Sequence, residues 1–303
     1  MLLTVVIPTR NRSNELEKLV ENLYANFKII EKIVVIDSSD FVNQKYESTQ
    51  DSRIVYRHTN ICSAAIQRNM GIALVPQNCK FLAFLDDDVI PPKEYFEKLI
   101  NMLTTTADAV GASGITQNPQ KPRILKISKV YSLYRYIFFL DSKKEGVVLS
   151  SGVNIPYRIS LDESSIYISE WLIGCSIWDF QKIKNCLFDS RFYGQSLGED
   201  VLFSLKASKF GKLYVNKDIV LQHLESKIDR PSIFLHSRMW VRNRFYIVEE
   251  LNSSKIHLAY HWCNLGKLLS VLFFIPTNPK RYVSSAFGIL TGYLDLFRGK
   301  IEN

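Results

Sequence analysis

The 303-residue sequence has no Cys-x-x-Cys pair; its five cysteines, Cys62, Cys79, Cys175, Cys186 and Cys263, are scattered. That spacing argues against structural zinc and a disulfide framework, and it suits a reducing compartment such as the cytoplasm. The chain runs straight into Leu2–Ile7 without a basic segment or cleavage site, so a secretory signal peptide is not expected. The longest apolar stretch near the end, Leu268–Ile275, is too short by itself to cross a bilayer. No zinc finger, RNP motif, internal repeat or low-complexity tract is present, and nucleic acid is not expected as a partner. What is abundant is apolar: 47% of residues are hydrophobic against 22% charged, enough for a sizeable core. The 38 Lys+Arg against 30 Asp+Glu leave +8, a balance suited to nucleotide diphosphates or acidic lipid head groups.

The first 112 residues alternate strand and helix patterns, which predicts a mainly parallel α/β sheet with helices on both faces. Expected strands are Thr4–Ile7, Lys32–Ile36, Arg53–Tyr56, Lys80–Leu85 and Ala109–Ala112. Expected helices are Asn14–Phe27, Ser63–Leu74 and Lys93–Thr104, the first capped by Ser13 or Asn14 and the third opened by Pro91 or Pro92. Residues 113 to about 170 break this rhythm with a basic segment, Gln117–Lys126, and an aromatic stretch, Tyr131–Phe139. That stretch reads as a helix packed on the domain, or as an insertion shaping an acceptor pocket. Regular structure resumes at Glu170–Trp178, with strand-like pieces at Lys212–Val215 and Ile219–His223. Three helices follow from about Arg230, the last two near His257–Ile275 and Lys280–Arg298. The division expected is a catalytic domain over 1–229, with a nucleotide-binding half over 1–112 and an acceptor half over 113–229, followed by a helical region over 230–303. The last two helices mix large apolar residues with Lys267, Lys280, Arg281, Arg298 and Lys300; membrane-surface docking and ordinary packing on the domain are equal readings.

The stretch richest in chemistry is Phe81–Asp88, a buried strand that ends in three carboxylates. Adjacent carboxylates repel and resist desolvation, so a cation is their natural partner. On an extended chain Asp86 and Asp88 point to one side and would face one metal–phosphate group, with Asp87 between them. An acidic turn capping the next helix is the plainer alternative. Two further strand ends meet the same sheet edge: Pro8-Thr9-Arg10-Asn11-Arg12, suited to phosphates, and Asp37-Ser38-Ser39-Asp40, whose Asp37 could accept from a base or ribose. Arg68, in the helix opened by Ser63, could reach a diphosphate or simply face solvent. Gly198-Glu199-Asp200 offers a carboxylate pair at a helix start, either a stabilised first turn or a general base. His223 could be a metal ligand or an edge histidine.

Val5–Arg12, Val35–Asp40, Arg68–Gly71, Leu85–Asp88, then Phe188-Asp189, Phe192 and Gly198-Glu199-Asp200, in this order, resemble the family 2 glycosyltransferases over roughly residues 1–225. The resemblance implies a GT-A, Rossmann-like fold, a nucleotide-sugar donor, Mg²⁺ or Mn²⁺, and inversion at the anomeric carbon. It implies that the Pro8 turn, Thr9, Arg10, Asp37 and Arg68 contact the nucleotide, that Asp86 lies near ribose and metal, and that Asp88 ligates the metal. It makes Asp200 the catalytic base, with Glu199 the competing assignment, and places His223 near the diphosphate or metal. Ser237–Arg244 is similar to an Arg-Asn segment of several bacterial members. No Gln-x-x-Arg-Trp context appears, so transfer of one sugar is expected rather than polymerisation. The acceptor class this implies is a glycan or lipid-linked glycan of a bacterial cell surface, with the protein cytoplasmic or on the inner membrane face. A nucleotidyltransferase would need a Gly-rich Lys/Arg loop after the first strand, which Pro8-Thr9-Arg10-Asn11 is not. A non-catalytic nucleotide-sugar-binding scaffold is the remaining alternative.

Overall fold

The computed structural model describes residues 3–119, 128–157, 165–194, 196–226, 228–251 and 254–298. The strands are β1 (Leu3–Thr9), β2 (Ile30–Asp37), β3 (Ile54–His58), β4 (Phe81–Phe84), β5 (Val89–Ile90), β6 (Ala109–Gln117), β7 (Ile166–Ser169), β8 (Ser176–Asp179) and β9 (Lys212–His223). The helices are α1 (Ser13–Asn26), α2 (Gln44–Glu47), α3 (Ala64–Ala73), α4 (Tyr95–Thr105), α5 (Lys129–Ile137), α6 (Phe180–Ile183), α7 (Glu199–Ala207), α8 (Ile233–Glu250), α9 (Ser254–Phe273) and α10 (Pro279–Phe297).

One sheet runs in the order β3-β2-β1-β4-β8-β6-β9-β5, with β7 paired to β9. β3, β2, β1 and β4 are parallel, as the alternating pattern predicts; β8 then pairs antiparallel with both β4 and β6, and β6 and β9 are parallel again. β1 thus has β2 on one side and β4 on the other, the arrangement that opens a crevice at the carboxyl ends of the strands.

The parallel strands are buried on both faces because their side chains divide by parity. Leu3, Val5 and Ile7 with Ile33, Val35, Phe81 and Ala83 pack against Leu16, Leu19 and Leu23 of α1 and Phe96 and Leu99 of α4. Val6, Val34, Ile36, Leu82 and Phe84 face the opposite way, into Ala65 and Ile72 of α3 and Val201, Leu202 and Phe203 of α7. A third cluster holds α8, α9 and α10 together through Val241, Tyr260, Val271 and Ile289.

α3 lies so close to β1 that a Cβ on Gly71 would sit 2.3 Å from Val6 Cγ1. In an open helix Gly→Ala gains up to ~1 kcal/mol of propensity. Here the overlap decides the sign: Gly71→Ala is expected to destabilise by about 1–3 kcal/mol, read as a lower urea midpoint.

Several boundaries differ from the sequence reading. Ser13 is the first helical residue of α1, so neither it nor Asn14 caps the helix; Arg12 holds the cap position without a side-chain bond. Pro91 and Pro92 precede a turn, Tyr95 N–H donating 2.9 Å to Pro92 C=O, and α4 opens only at Tyr95. β6 runs on to Gln117, where pairing with β9 sustains it. The two expected strand pieces after Lys212 are one strand, shifted in register between Ser113 and Ile115 of its partner β6. Of Glu170–Trp178 only the end is strand. The aromatic stretch is a helix, and it packs on α9 of the helical region: Phe138 stacks on Trp262 and Tyr134 Oη donates to Gly266 C=O at 2.5 Å. Most of Gln117–Lys126 lies outside the described residues. None of the five cysteines is in a disulfide.

Candidate active site

The strand ends of β1, β2 and β4 and the start of α7 border one open cleft of about 580 Å³, a size that suits a small-molecule ligand. Pro8, Thr9, Arg10, Arg68, Asp86, Asp87, Asp88, Glu199, Asp200 and His223 all line it. Residues more than two hundred positions apart are brought together by the order of the sheet: β4 lies beside β1, and β5, directly after the Asp run, pairs with the end of β9 at Val89–His223.

The three aspartates do not form an extended strand end, because β4 stops at Phe84 and Asp87 and Asp88 fall in a turn. Asp86 and Asp88 therefore take separate partners instead of sharing one by alternation, while Arg12 Nη1 reaches both Asp87 and, at 3.6 Å, Asp88. Asp86 accepts from Arg68 Nη2 at 2.8 Å. Asp87 accepts from Thr9 Oγ1 at 2.7 Å and Arg12 Nη1 at 2.9 Å. Asp88 faces His223 Nε2 at 3.0 Å and accepts the Ser226 N–H at 2.8 Å.

Burial raises the Asp87 carboxyl to about 6, against the pull of Arg12 and Thr9, which makes Asp87 an internal brace of the β1 turn. For Asp88, burial works the other way from the result: His223, Ser226 N–H and Arg12 outweigh it and hold the carboxylate below its ordinary value. Burial likewise opposes the charge on His223, but Asp88 and Asp86 overcome it and raise its pKa.

Arg68 is the centre of the other half. Its side chain is 3% exposed, with Nη1 2.6 Å from Glu199 Oε1 and Nη2 2.8 Å from Asp86 Oδ1. It is thus a buried bridge between two carboxylates, occupied at both ends, and not a solvent-facing arm. Gly174 permits this: a Cβ there would lie 3.1 Å from Arg68 Nη2. Gly198, at φ 89°, adopts the left-handed turn that starts α7 and places Glu199 and Asp200 in its first turn. Asp200 accepts from Val201 N–H at 2.8 Å and is half-buried at the cleft. Burial pushes the carboxyls of Glu199 and Asp200 up, with Arg68 opposing in both cases. Such a raised, cleft-facing carboxylate beside an engaged one is the arrangement expected of a general base and its neighbour.

Asp37 stands apart. It is 1% exposed and absent from the cleft lining, its carboxylate accepting from Ser39 N–H and Tyr56 Oη, both at 2.8 Å. The neighbouring Ser38 reaches the cleft instead. β2 runs one residue further than expected, to Asp37 itself, which turns its side chain into the sheet-end network.

For a divalent ion, no cluster of three or more His, Cys, Asp and Glu is assembled among the described residues. Asp88 and His223 nevertheless form a hard–borderline donor pair on the cleft wall, with Asp86 also in the lining. Mg²⁺ and Mn²⁺ sites commonly combine one or two protein ligands with substrate phosphates and water, so this pair fits such an ion. Arg68 already engages Asp86, so Asp88 and His223 are the pair that would hold such an ion.

Three more arginines stand in the cleft wall: Arg12, expected there with the phosphate-suited β1 turn, and Arg230 and Arg238, to which the sequence assigned no role of their own. Arg12 was visible in the β1 turn, and Arg238 in the Ser237–Arg244 segment. That segment belongs to α8, where Asn243 Nδ2 donates 2.9 Å to Leu197 C=O and so fixes the loop before Gly198.

No curated protein matches the sequence. Among solved structures, GalNAc-T7 with UDP, GalNAc and Mn²⁺ superposes with a TM-score of 0.56 at 15% identity, covering 82% of this chain and 48% of that one. The chain thus spans about half of that structure. S. aureus TarS 1-349 superposes with a TM-score of 0.51 at 13% identity, and the same protein in complex with UDP-GlcNAc with 0.50 at 14%; each covers 99% of this chain and 92% of that one. These likenesses establish a GT-A fold. The sequence profile described as "Glycosyl transferase family 2" matches residues 4–165, more than half of the chain. The protein belongs to glycosyl transferase family 2.

Proposed function

We propose that the protein is an inverting glycosyltransferase that moves one sugar from a uridine-diphosphate sugar to a hydroxyl group of a glycan or lipid-linked glycan. The observation that carries this reading is the single cleft shared by Asp200 and by the Asp88–His223 pair. UDP in GalNAc-T7 and UDP-GlcNAc in TarS support the choice of nucleotide. The class of acceptor, in cell-surface polysaccharide synthesis in a bacterial cytoplasm, rests on family membership and on five cysteines that form no disulfide.

Arg10 and Arg12, at the end of β1, are cations suited to a diphosphate. Asp88 and His223 would hold the divalent ion, which when bound neutralises charge gathering on the leaving diphosphate. Asp200 takes the proton of the acceptor hydroxyl while its oxygen forms a bond to the anomeric carbon; the bond from that carbon to the diphosphate oxygen breaks on the opposite face. Glu199, engaged by Arg68, keeps the first turn of α7 in place.

The test is calorimetry against UDP, GDP, CDP and TDP, each with Mn²⁺ and with EDTA. UDP is expected to bind, more tightly with Mn²⁺, and Asp88→Ala to lose that metal-dependent gain. Binding of none of the four by folded protein would overturn the donor site and leave a scaffold role ahead.

A further inference from the structure

We propose that the outer faces of α5, α9 and α10 form one surface that docks on an anionic lipid bilayer. α9 exposes Leu258, Trp262, Leu265, Leu269 and Leu272, a 4-3-4-3 spacing that keeps all five on one side. α10 repeats the spacing with Val283, Phe287, Leu290, Leu294 and Phe297. α5 adds Val130, Leu133 and Ile137.

The rotation of each helix is fixed by what its inner side does. On α10, Gly288 and Gly292 approach the backbone of α8 so closely that a Cβ would lie 2.3 Å from Phe234 O and 2.8 Å from Arg238 O. On α9, Tyr260 Oη donates 2.9 Å to Val241 C=O, and Asn264 accepts from Arg244. The three helices are neighbours: Phe138 at the end of α5 stacks on Trp262 of α9, and His261 of α9 stacks on Tyr293 of α10. Their outer stripes are therefore adjacent, and contiguous exposed apolar area of this kind marks a partner.

Charge selects that partner. Lys129, Lys280, Arg281 and Arg298 are exposed on these helices or at their ends. Among their described residues the one acid, Asp295, is buried against Arg238 at 2.5 Å. Apolar side chains flanked by cations, with no exposed carboxylate, complement an anionic membrane surface. A coiled coil with a second copy is disfavoured, because the positions beside the stripes are Ala259, His261, Gly266, Leu268 and Phe273 on α9 and Ser284, Ala286, Thr291 and Tyr293 on α10 with Arg298 at its end, and no acid is among them. Without an acidic counterpart these positions cannot form the ion pairs that set register in such a coil.

The isolated run Leu268–Ile275 looked too short to cross a membrane, yet the segment His257–Thr277, 21 residues, has the length and composition to do so, and an 18-residue stretch of it is only 28% buried. Its bonded inner side assigns it instead to the plane of the interface. α8 links this surface to the active site, since Arg238 and Met239 line the cleft while the backbone of the same helix receives Gly288 and Gly292.

Flotation of the full chain with phosphatidylcholine vesicles, and with vesicles of equal phosphatidylcholine and phosphatidylglycerol, tests the proposal. Binding is expected to the anionic vesicles, weakening with salt. Lys280→Gln and Arg281→Gln should each lower it about fivefold, and Leu265→Glu with Phe287→Glu should abolish it. UDP binding by the same variants controls for folding and keeps this result separate from the donor-site reading. Failure of the folded wild type to float, or equal flotation of the Leu265→Glu/Phe287→Glu variant, overturns the proposal. So does light scattering that finds a dimer dispersed by those two substitutions without any vesicle binding.

Discussion

Asp200→Asn is expected to lower the rate of glycosyl transfer by roughly 10²–10⁴-fold while leaving UDP binding intact. The carboxylate lines the cleft, but the nucleotide side of that cleft is built from the ends of β1, β2 and β4, so removing the base leaves the donor subsite standing. The pH profile supplies a second readout. Burial raises the Asp200 carboxyl, and only its ionised form accepts a proton, so the wild-type rate rises with pH along a limb displaced above the ordinary aspartate range. The residual rate of Asp200→Asn should lack that limb. Stability moves the other way. A carboxyl whose folded pKa is raised binds more protons folded than unfolded, so it costs stability as pH rises through that window. Because Arg68 offsets that cost only in part, Asp200→Asn should melt higher than wild type at neutral pH. Undiminished transfer by Asp200→Asn would remove the base assignment. Loss of transfer in Glu199→Gln with UDP binding and stability intact, and with Asp200→Asn active, would hand the role to Glu199.

The sequence made the parallel half of the sheet legible for a simple reason: β1, β2 and β4 are buried on both faces, so they read as continuous apolar runs, and α1 and α4 bury one side each. Their carboxyl ends then had to share an edge, which is why Thr9, Arg10 and the Asp run fall in one cleft. What did not show was direction beyond the strand ends. The alternation placing Asp86 with Asp88 holds only while the chain stays extended, and β4 ends before either residue. Arg68 on a short amphipathic helix gives no sign of its burial until α7, more than a hundred residues later, supplies Glu199. Asp37 carries the signal of a ligand-binding strand end, but its carboxylate is already taken by Ser39 N–H and by Tyr56 from the next strand. The outer stripes of α9 and α10 were visible as apolar residues among cations, but which side stayed uncovered depended on Gly288 and Gly292 turning the other side to α8.

Arg68 is the residue whose loss should harm the fold most. Arg68→Met keeps much of the side-chain length but removes the cation between Glu199 and Asp86, with Asp200 adjoining. Breaking one partner out of a buried ionic cluster costs about 3–5 kcal/mol, because the remaining charges stay desolvated without compensation. A urea midpoint shift of that size is expected, with donor binding weakened as the Asp run and α7 lose their common anchor. The pH dependence identifies the cause. Without Arg68 the Glu199 carboxyl, already raised by burial, rises further, the folded state binds more protons than the unfolded, and stability falls as pH increases. The deficit relative to wild type should therefore shrink toward acidic pH. Replacing the stranded carboxylate as well, in Arg68→Met/Glu199→Gln, should recover most of the lost stability, since a neutral amide is far less costly to bury. A deficit that is equal at every pH and unrelieved in the double variant would mean that Arg68 acts through its packing against Phe188 alone, and that Glu199 and Asp86 do not depend on its charge.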